Sequence, residues 1–219
     1  MTDPRASAIA ETIDIDPSKP LLIVDADEVL FQFMAAFLTF IEDKGHTFVF
    51  RSYALAGNVL TRKDGPPLER QTVSDLVTEF FEKRTREIPA DLEAAPALNR
   101  LKLDGFQIVV LSNVPSIAVE DRRYSLNEAN IKFPLAPWSG PKGTAVAAMA
   151  SKTQGKTIFV DDITSHHESV AVLAPEVYRL HYVIHPKLRA LLGKVEAAND
   201  QAENWFELEK FIRDHALNK

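Results

Sequence analysis

Four short runs of apolar residues, separated by segments with helical periodicity, constrain the fold of this chain more than any other feature of its sequence. The runs are Leu21–Val24, Phe106–Leu111, Thr157–Val160 and Val177–Val183. A continuous apolar run bounded by polar or turn residues is typical of a strand that is buried on both faces of a sheet. Strands that alternate with helices form right-handed crossovers and a parallel sheet. The sequence therefore predicts an α/β fold.

One long segment interrupts this alternation between the first and second strands. Residues 29–44 and 70–87 both have the apolar spacing of helices, and in the second range the apolar positions recur at intervals of three and four. We therefore predict a mainly helical insertion at residues 31–90. Residues 1–30 and 91–219 would form the core, with further helices at 92–103, 116–130, 143–153, 164–173 and 203–215. Residues 1–19, which contain two prolines, are interpreted as a polar lead-in.

Composition excludes several classes of protein. The 31 acidic residues outnumber the 25 basic ones, and no dense basic cluster is present, which argues against a nucleic-acid partner. The absence of cysteine excludes disulfides, thiolate catalysis and cysteine-based metal sites. The longest apolar stretch, Val29–Ile41, is interrupted by polar residues and is shorter than the ~20 residues that span a bilayer. With no apolar signal core at the N-terminus, we expect a soluble cytoplasmic protein without a membrane partner.

Polar residues follow the predicted strands at the points where each strand ends. They are Asp25 and Asp27 after the first strand, Ser112 and Asn113 after the second, and Asp161 and Asp162 after the third, while Lys142 lies in a Gly-Pro-Lys-Gly turn before a helix. Ligands of open parallel sheets bind outside the carboxyl ends of the strands, so these side chains are expected to converge on one crevice.

These residue types together indicate phosphoryl chemistry. Several carboxylates in one crevice repel one another and need a cation, and all-oxygen ligation favours Mg²⁺. A hydroxyl group and a lysine can bind a phosphoryl group, and an aspartate can act as a nucleophile. A second aspartate two residues further on could donate and accept the proton of the leaving oxygen.

Each motif also has a simpler interpretation when it is taken alone. Asp25 and Asp27 could cap the following helix, Ser112-Asn113 could form a turn, and Lys142 could be solvated. Only the joint arrangement favours catalysis. The phenylalanines of residues 31–40 are expected to pack within the insertion rather than line a pocket. Polar residues of the insertion that could contact a substrate are Arg51, Tyr53, Asn58, Arg62 and Lys63.

The ordered motifs VDADEVL, VVLSN, GPKG and FVDD resemble those of the haloacid dehalogenase (HAD) superfamily, over residues 21–30 and about 92–183. The resemblance implies a Rossmann-like core, a helical cap inserted after the first motif, and Mg²⁺ as the cofactor. It implies Asp25 as nucleophile and metal ligand, and Asp27 as general acid/base with its carbonyl oxygen on the metal. It further implies Ser112 and Asn113 as phosphate-binding residues, and Lys142 as the group that stabilises the nucleophile and the phosphoryl group. Asp162 would bind the metal directly and Asp161 through water or as an alternate ligand.

Two positions depart from the family pattern. The common motif continues Asp-Gly-Thr, whereas this chain has Glu28 and Val29 after Asp27. We expect the Glu28 carboxylate to lie near the mouth of the crevice, where it would repel phosphates unless a cation such as Arg51 or Arg62 pairs with it. Alternatively, it would recognise a cationic or hydroxyl group on the leaving portion of the substrate, or it would be a solvated residue on the rim. His166 stands where some members carry another acid, which leaves the outer shell of the metal open.

The predicted function is hydrolysis of a phosphomonoester, a small phosphorylated metabolite, through an aspartyl-phosphate. Three alternatives stay open at this point: a phosphomutase or other phosphotransferase with the same intermediate, a silent member that binds a phospho-ligand, and a receiver-like signalling domain. The last is disfavoured because receivers place the acidic pair first and the lysine last. In this chain the acidic pair Asp161-Asp162 follows Lys142 instead, and a segment of residues 31–90 is inserted after the first motif.

Overall fold

A computed structural model describes residues 3–217 of the 219-residue chain. Its helices are α1 Pro4–Glu11, α2 Phe33–Asp43, α3 Arg70–Arg84, α4 Ala94–Leu103, α5 Val119–Glu128, α6 Gly143–Ala150, α7 Thr164–Leu173, α8 Pro186–Leu191 and α9 Trp205–Leu217. Its strands are β1 Leu21–Val24, β2 Thr47–Phe48, β3 Val59–Leu60, β4 Gln107–Ser112, β5 Leu135–Pro137, β6 Thr157–Asp161, β7 Tyr178–Tyr182 and β8 Asp200–Ala202. No helix within residues 3–217 is long and apolar enough to cross a membrane.

Six of the strands form one sheet in the order β5-β4-β1-β6-β7-β8, and every neighbouring pair is parallel. This topology confirms the predicted α/β fold with a Rossmann-like parallel sheet. All four residues of β1 are buried, as the continuous apolar run predicts for a central strand. Leu22 and Val24 face one hydrophobic core, and Leu21 and Ile23 face the other, so β1 joins the two halves of the interior.

Several elements were missed by the sequence analysis. Residues 1–19 are not only a polar lead-in, because they contain α1, whose Ala6 and Ala10 are buried against α6. Asp3 caps this helix and Pro4 occupies its first turn, which are the ordinary signals of a helix start. The strands β5 and β8 are edge strands of three residues each, and the pattern of so short a segment does not distinguish strand from loop.

Residues 31–90, here called the insert, contribute no strand to the six-stranded sheet. The insert holds α2, α3 and a small antiparallel hairpin of β2 and β3, so it is less purely helical than expected. Phe37 and Phe40 of α2 are buried against Phe80 of α3, with ring centroids 5.4 and 5.3 Å apart. Phe31, Phe37 and Phe40 are buried, as predicted, whereas Phe33 is only partly buried and lines the cavity between the insert and the core, contrary to the prediction.

Glu28 lies in the interior, not at the mouth of the crevice, and this corrects the expectation from sequence. Its exposed fraction is 3%. Its backbone has a φ of 60°, in the left-handed region that favours glycine, which explains why the family pattern has glycine at this position. Among the residues that the structure describes, its carboxylate accepts hydrogen bonds from two backbone amides and pairs with no arginine of the insert.

The Glu28 carboxylate joins the insert to the core. One oxygen accepts from the Met34 N–H at 2.6 Å, in the first turn of α2, and the other accepts from the His185 N–H at 3.0 Å, before α8. Met34 packs against Leu188 of α8 beside this link. Burial raises the pKa of Glu28 to about 7, even though both amide hydrogen bonds favour the ionised form.

Gly143 allows α6 to approach α7 backbone to backbone. A Cβ atom at this position would lie 2.3 Å from the carbonyl oxygen of Ser169. The N–H of Gly143 donates to Ser169 Oγ at 2.9 Å. Because Gly143 follows Lys142 directly, this close approach also determines where the lysine enters the interior.

We expect Gly143→Ala to lower the free energy of unfolding by about 2 kcal/mol, because overpacking against a fixed backbone typically costs that much. Urea denaturation followed by circular dichroism measures the change. Gly193→Ala is the matched control, since its Cβ would meet nothing within 4 Å. Equal stability of the two variants would contradict the close packing of α6 on α7.

Glu28→Gly should lower the free energy of unfolding by about 2 kcal/mol, because two buried N–H groups lose their acceptor at roughly 1–3 kcal/mol each. Relief of left-handed strain, on the order of 1 kcal/mol, offsets only part of this loss. Glu28→Gln keeps the shape and one acceptor oxygen, so its stability should fall between the two. A glycine variant as stable as the wild type would show that the carboxylate does not hold the insert on the core.

Candidate active site

The candidate site lies at the carboxyl ends of β1 and β6, which are neighbours in the sheet. In the sheet, β4 lies beside β1 and β7 lies beside β6, on opposite sides of the β1–β6 pair. The next sheet strand after β1 is therefore added in one direction, and the next one after β6 in the other. Such a reversal of strand order opens a crevice at the edge of the sheet. Val24 pairs with Val160 in the register, so Asp25 and Asp161 emerge side by side at this edge.

Lys142 is completely buried and bridges two carboxylates. Its Nζ lies 2.6 Å from Asp25 Oδ1 and 2.7 Å from Asp161 Oδ2. Burial alone would lower the pKa of Lys142, but the charges of Asp161 and Asp25 outweigh burial and raise it above its ordinary value. The lysine is therefore held as an ammonium ion at the end of β1.

Three carboxylates crowd around this single ammonium group. Ligand atoms of Asp25, Asp161 and Asp162 all lie within 4.8 Å of one another, and all three residues are buried. Burial raises the pKa of Asp25 to about 6 despite the opposing effect of Lys142. Burial, together with the charges of Asp161 and Asp25, also raises the pKa of Asp162. One ammonium group thus leaves negative charge in this cluster uncompensated.

The donors of this cluster fit a hard divalent cation. Within residues 3–217, Asp162 Oδ1 is buried and has no hydrogen-bond partner, so its desolvation is uncompensated. Both oxygens of Asp161 are already engaged: Oδ1 accepts from the Ile163 N–H, and Oδ2 accepts from Lys142. An all-oxygen carboxylate set with a free, buried acceptor suits Mg²⁺ or a similar ion.

Asp27 faces a different environment from Asp25, although only one residue separates them. Its Oδ1 accepts a hydrogen bond of 2.5 Å from Arg122 Nη2, and the arginine side chain is completely buried. The guanidinium also lies over the ring of Phe31, 4.5 Å from its centroid. In the described part of the chain, Nε and Nη1 of Arg122 have no hydrogen-bond partner, so Asp27 is its one polar contact. The sequence analysis missed Arg122.

The predicted phosphate-binding pair divides between interior and surface. Ser112 is completely buried at the end of β4, where its Oγ accepts from the Val114 N–H at 3.3 Å. Asn113 is exposed, lines the crevice, and donates from Nδ2 to the carbonyl oxygen of Gly140 at 3.0 Å. Gly140 is the first residue of the Gly-Pro-Lys-Gly turn that carries Lys142, so this contact links two of the predicted motifs.

The crevice continues into a cavity of about 350 Å³ between the insert and the core. Asp25, Asp27 and Asp162 line one end of this cavity. Tyr53 of the insert reaches into it and donates a hydrogen bond to Asp162 Oδ2. Burial, followed by the charge of Asp162, raises the pKa of Tyr53 above its ordinary value.

The other polar candidates of the insert do not line this cavity. Arg51, Arg62 and Lys63 are exposed elsewhere on the surface, and the Asn58 side chain donates to the carbonyl oxygens of Ser52 and Ala54. Asn58 thereby shapes the loop that presents Tyr53. Of the polar residues singled out in the insert, the structure brings only Tyr53 to the carboxylates.

Two histidines of α7, the helix that follows β6, contact Asp161. His166 Nδ1 lies 3.0 Å from Asp161 Oδ1, and His167 Nε2 lies 3.0 Å from the Asp161 carbonyl oxygen. His181 of β7 is also buried, and its Nε2 lies 2.9 Å from the Asp162 carbonyl oxygen. Burial lowers the pKa of His167 to about 4.

No model of a protein family matches this chain, and no curated protein matches it in sequence. Solved structures do match it in three dimensions. The HAD-hydrolase YfnB from Bacillus subtilis, solved with bound magnesium, superimposes with a TM-score of 0.59 at 13% identity, over 89% of this chain and 99% of that one. A HAD family hydrolase from Deinococcus radiodurans R1, solved with phosphate and sodium, gives 0.57 at 15% identity, over 91% and 97%.

A third similar structure, from Thermotoga maritima, carries the name of a beta-phosphoglucomutase. It superimposes with a TM-score of 0.55 at 14% identity, over 89% of this chain and 99% of that one. Each superposition covers nearly the whole length of both chains. At sequence identities this low, the similarity concerns the fold alone. The chain therefore has the fold of the haloacid dehalogenase-like hydrolases.

Proposed function

We propose that this protein is a Mg²⁺-dependent hydrolase of phosphomonoesters that acts through an aspartyl-phosphate. The observation that carries the proposal is the buried ammonium group of Lys142 between Asp25 and Asp161, next to the unpartnered oxygen of Asp162. Such a cluster needs a cation and can receive a phosphoryl group beside it. The magnesium of YfnB and the phosphate of the Deinococcus protein, in structures of the same fold, agree with this chemistry.

In the proposed reaction, a carboxylate oxygen of Asp25 attacks phosphorus and the bond to the leaving oxygen breaks. Asp27 gives its proton to that oxygen, so the product leaves as an alcohol. Water then attacks the aspartyl-phosphate, Asp27 takes a proton from the water, and inorganic phosphate departs. Both aspartates return to their starting states. Lys142 and Ser112 stabilise the charge of the transferring phosphoryl group.

Asp25, the carbonyl oxygen of Asp27, and Asp162 would hold the metal ion, with Asp161 behind them. When bound, Mg²⁺ would offset the carboxylate charge and polarise the phosphoryl oxygens. Arg122 holds one oxygen of Asp27 from the protein side, while the 21% exposed fraction of the Asp27 side chain faces the crevice. The oxygen of Asp27 that does not contact Arg122 is thereby left free for the leaving oxygen of the substrate.

The insert would act as the cap of the site. It closes one side of the 350 Å³ cavity and reaches Asp162 through Tyr53. Elements of this kind exclude water from phosphoryl transfer and shape the pocket of the leaving group. The volume suits a small phosphorylated metabolite.

A screen of phosphate esters, with Mg²⁺ and with EDTA, tests the proposed function. We expect release of inorganic phosphate that requires the metal. Adding a sugar alcohol as acceptor distinguishes water from an alcohol as the second nucleophile, and a phosphomutase would give transfer products in place of phosphate. Binding of phosphate esters without any turnover would indicate the silent alternative.

Asp25→Asn should abolish phosphate release, because an amide is a very poor nucleophile. The variant should be at least as stable as the wild type at pH 7 in EDTA. The pKa of Asp25 lies above its ordinary value, so its charge costs stability increasingly as the pH rises from about 4 through 6. Phosphate release and urea denaturation measure the two effects. Full turnover by this variant would exclude Asp25 as the nucleophile.

Asp27→Asn should lower the free energy of unfolding, because it leaves the buried Arg122 without a counter-charge. Removing one member of a buried ion pair costs ~3–5 kcal/mol, and the asparagine oxygen retains part of the contact, so about 3 kcal/mol is expected. Turnover of alkyl phosphates should fall ~10²–10⁴-fold, and that of activated aryl phosphates less. Equal losses on both esters would argue against the acid role.

A further inference from the structure

We infer that the leaving group of the substrate is uncharged and apolar, about the size of one aromatic ring or a short branched chain. This inference rests on the proposed function, since it concerns the part of the substrate that remains after the phosphoryl group leaves. The observation that carries it is the apolar wall of the 350 Å³ cavity that the carboxylates also line.

That wall is built from large apolar side chains. They are Phe33, Met34, Leu55 and Phe81 from the insert, and Ile163 and Leu188 from the core. Met34, Phe81 and Leu188 are nearly inaccessible to solvent, with exposed fractions of 1%, 7% and 3%. Side chains packed this tightly keep their positions and present a dry surface to a ligand. Phe33, Leu55 and Ile163 are only partly buried, so a leaving group that covers them removes apolar surface from water and gains the free energy of its burial.

The charges around the cavity exclude an anionic leaving group. Of the described residues that line the cavity, none is lysine or arginine. The cations that contact the aspartates of the site are already paired: Lys142 contacts Asp25 and Asp161, and Arg122 contacts Asp27 from the protein side. A carboxylate or a second phosphate on the substrate would therefore be buried without a counter-charge, which is strongly unfavourable.

Besides the aspartates, the polar side chains that line the cavity are Glu28, Tyr53, Asn113 and His166, and each already has a partner within the protein: Asn113 donates to the Gly140 carbonyl oxygen, and His166 contacts Asp161. The Tyr53 hydroxyl is engaged with Asp162, and both oxygens of Glu28 accept from backbone amides. A polyhydroxylated leaving group would lose hydrogen bonds to water and find few acceptors and donors in exchange. The wall thus favours apolar esters over sugar phosphates.

Three aryl phosphates with leaving groups of similar acidity test this inference: phenyl phosphate, 4-carboxyphenyl phosphate and 4-(aminomethyl)phenyl phosphate. We expect kcat/KM with Mg²⁺ to be highest for phenyl phosphate, and at least tenfold lower for the carboxylate. Equal or greater kcat/KM for the carboxylate would overturn the inference. Preference for the amine would overturn it too, and would assign a cationic leaving group to the acidic end of the cavity.

Binding of phosphonates separates this inference from the proposed function. Calorimetry measures the dissociation constants of phenylphosphonate and 4-carboxyphenylphosphonate, with and without Mg²⁺, and neither ligand requires turnover. Tighter binding of phenylphosphonate by about tenfold supports an apolar pocket even if no ester is hydrolysed, in which case only the proposed hydrolysis fails. Equal binding of the two phosphonates would reject the apolar pocket whatever the turnover.

A positive charge introduced at the mouth of the cavity gives a second test, because no lysine or arginine is among the described residues that line it. Ala54 lines the cavity and is exposed, so Ala54→Arg adds a cation without disturbing the core. We expect kcat/KM for 4-carboxyphenyl phosphate to rise about tenfold relative to phenyl phosphate. Ala35→Arg is the matched control, because Ala35 is exposed on α2 of the same insert and does not line this cavity. An unchanged ratio in Ala54→Arg, or an equal rise in the control, would contradict the inference.

Discussion

The ammonium group of Lys142 is the contact on which the arrangement of the site depends. It is completely buried and lies within 2.7 Å of carboxylates that belong to two neighbouring strands, β1 and β6. A buried charge that loses its partners is strongly destabilising, so the ends of both strands and the start of α6 must keep their relative positions. Gly143 makes this possible, because only a residue without a side chain allows α6 to come so close to Ser169. The ends of β1 and β6, the packing of α6 on α7 and the charges of the site therefore all depend on the position of Lys142.

The turn after β1 also holds the insert on the core, through Glu28. Glu28 adopts a left-handed backbone conformation that is unfavourable for its residue type, yet its carboxylate accepts from amides of α2 and of the segment before α8. Two charge-assisted hydrogen bonds offset the strain. The joint between insert and core therefore lies next to the aspartates, and the cavity between the two parts opens directly onto them.

Asp25 and Asp27 illustrate how one short motif can supply two chemically different carboxylates. Asp25 lies among other carboxylates beside Lys142, whereas Asp27 contacts a buried arginine that has no other polar contact among the described residues. Pairs of carboxylates in contrasting environments are suited to divided roles, such as those of nucleophile and acid/base that we propose.

The sequence by itself determined the parallel sheet and the residues at its edge, because strand burial and the position of a strand end are local properties of the apolar pattern. Leu21–Val24 and Asp25 could be recognised in this way. Edge strands such as β5 were not recognisable, since three residues carry too little pattern. Tertiary structure alone decided the contact of Arg122 with Asp27, the burial of Glu28 against His185, and the apolar wall of the cavity. These features join residues that are about 95 or more positions apart, or come from separate elements, and no local periodicity reports which distant side chains will meet.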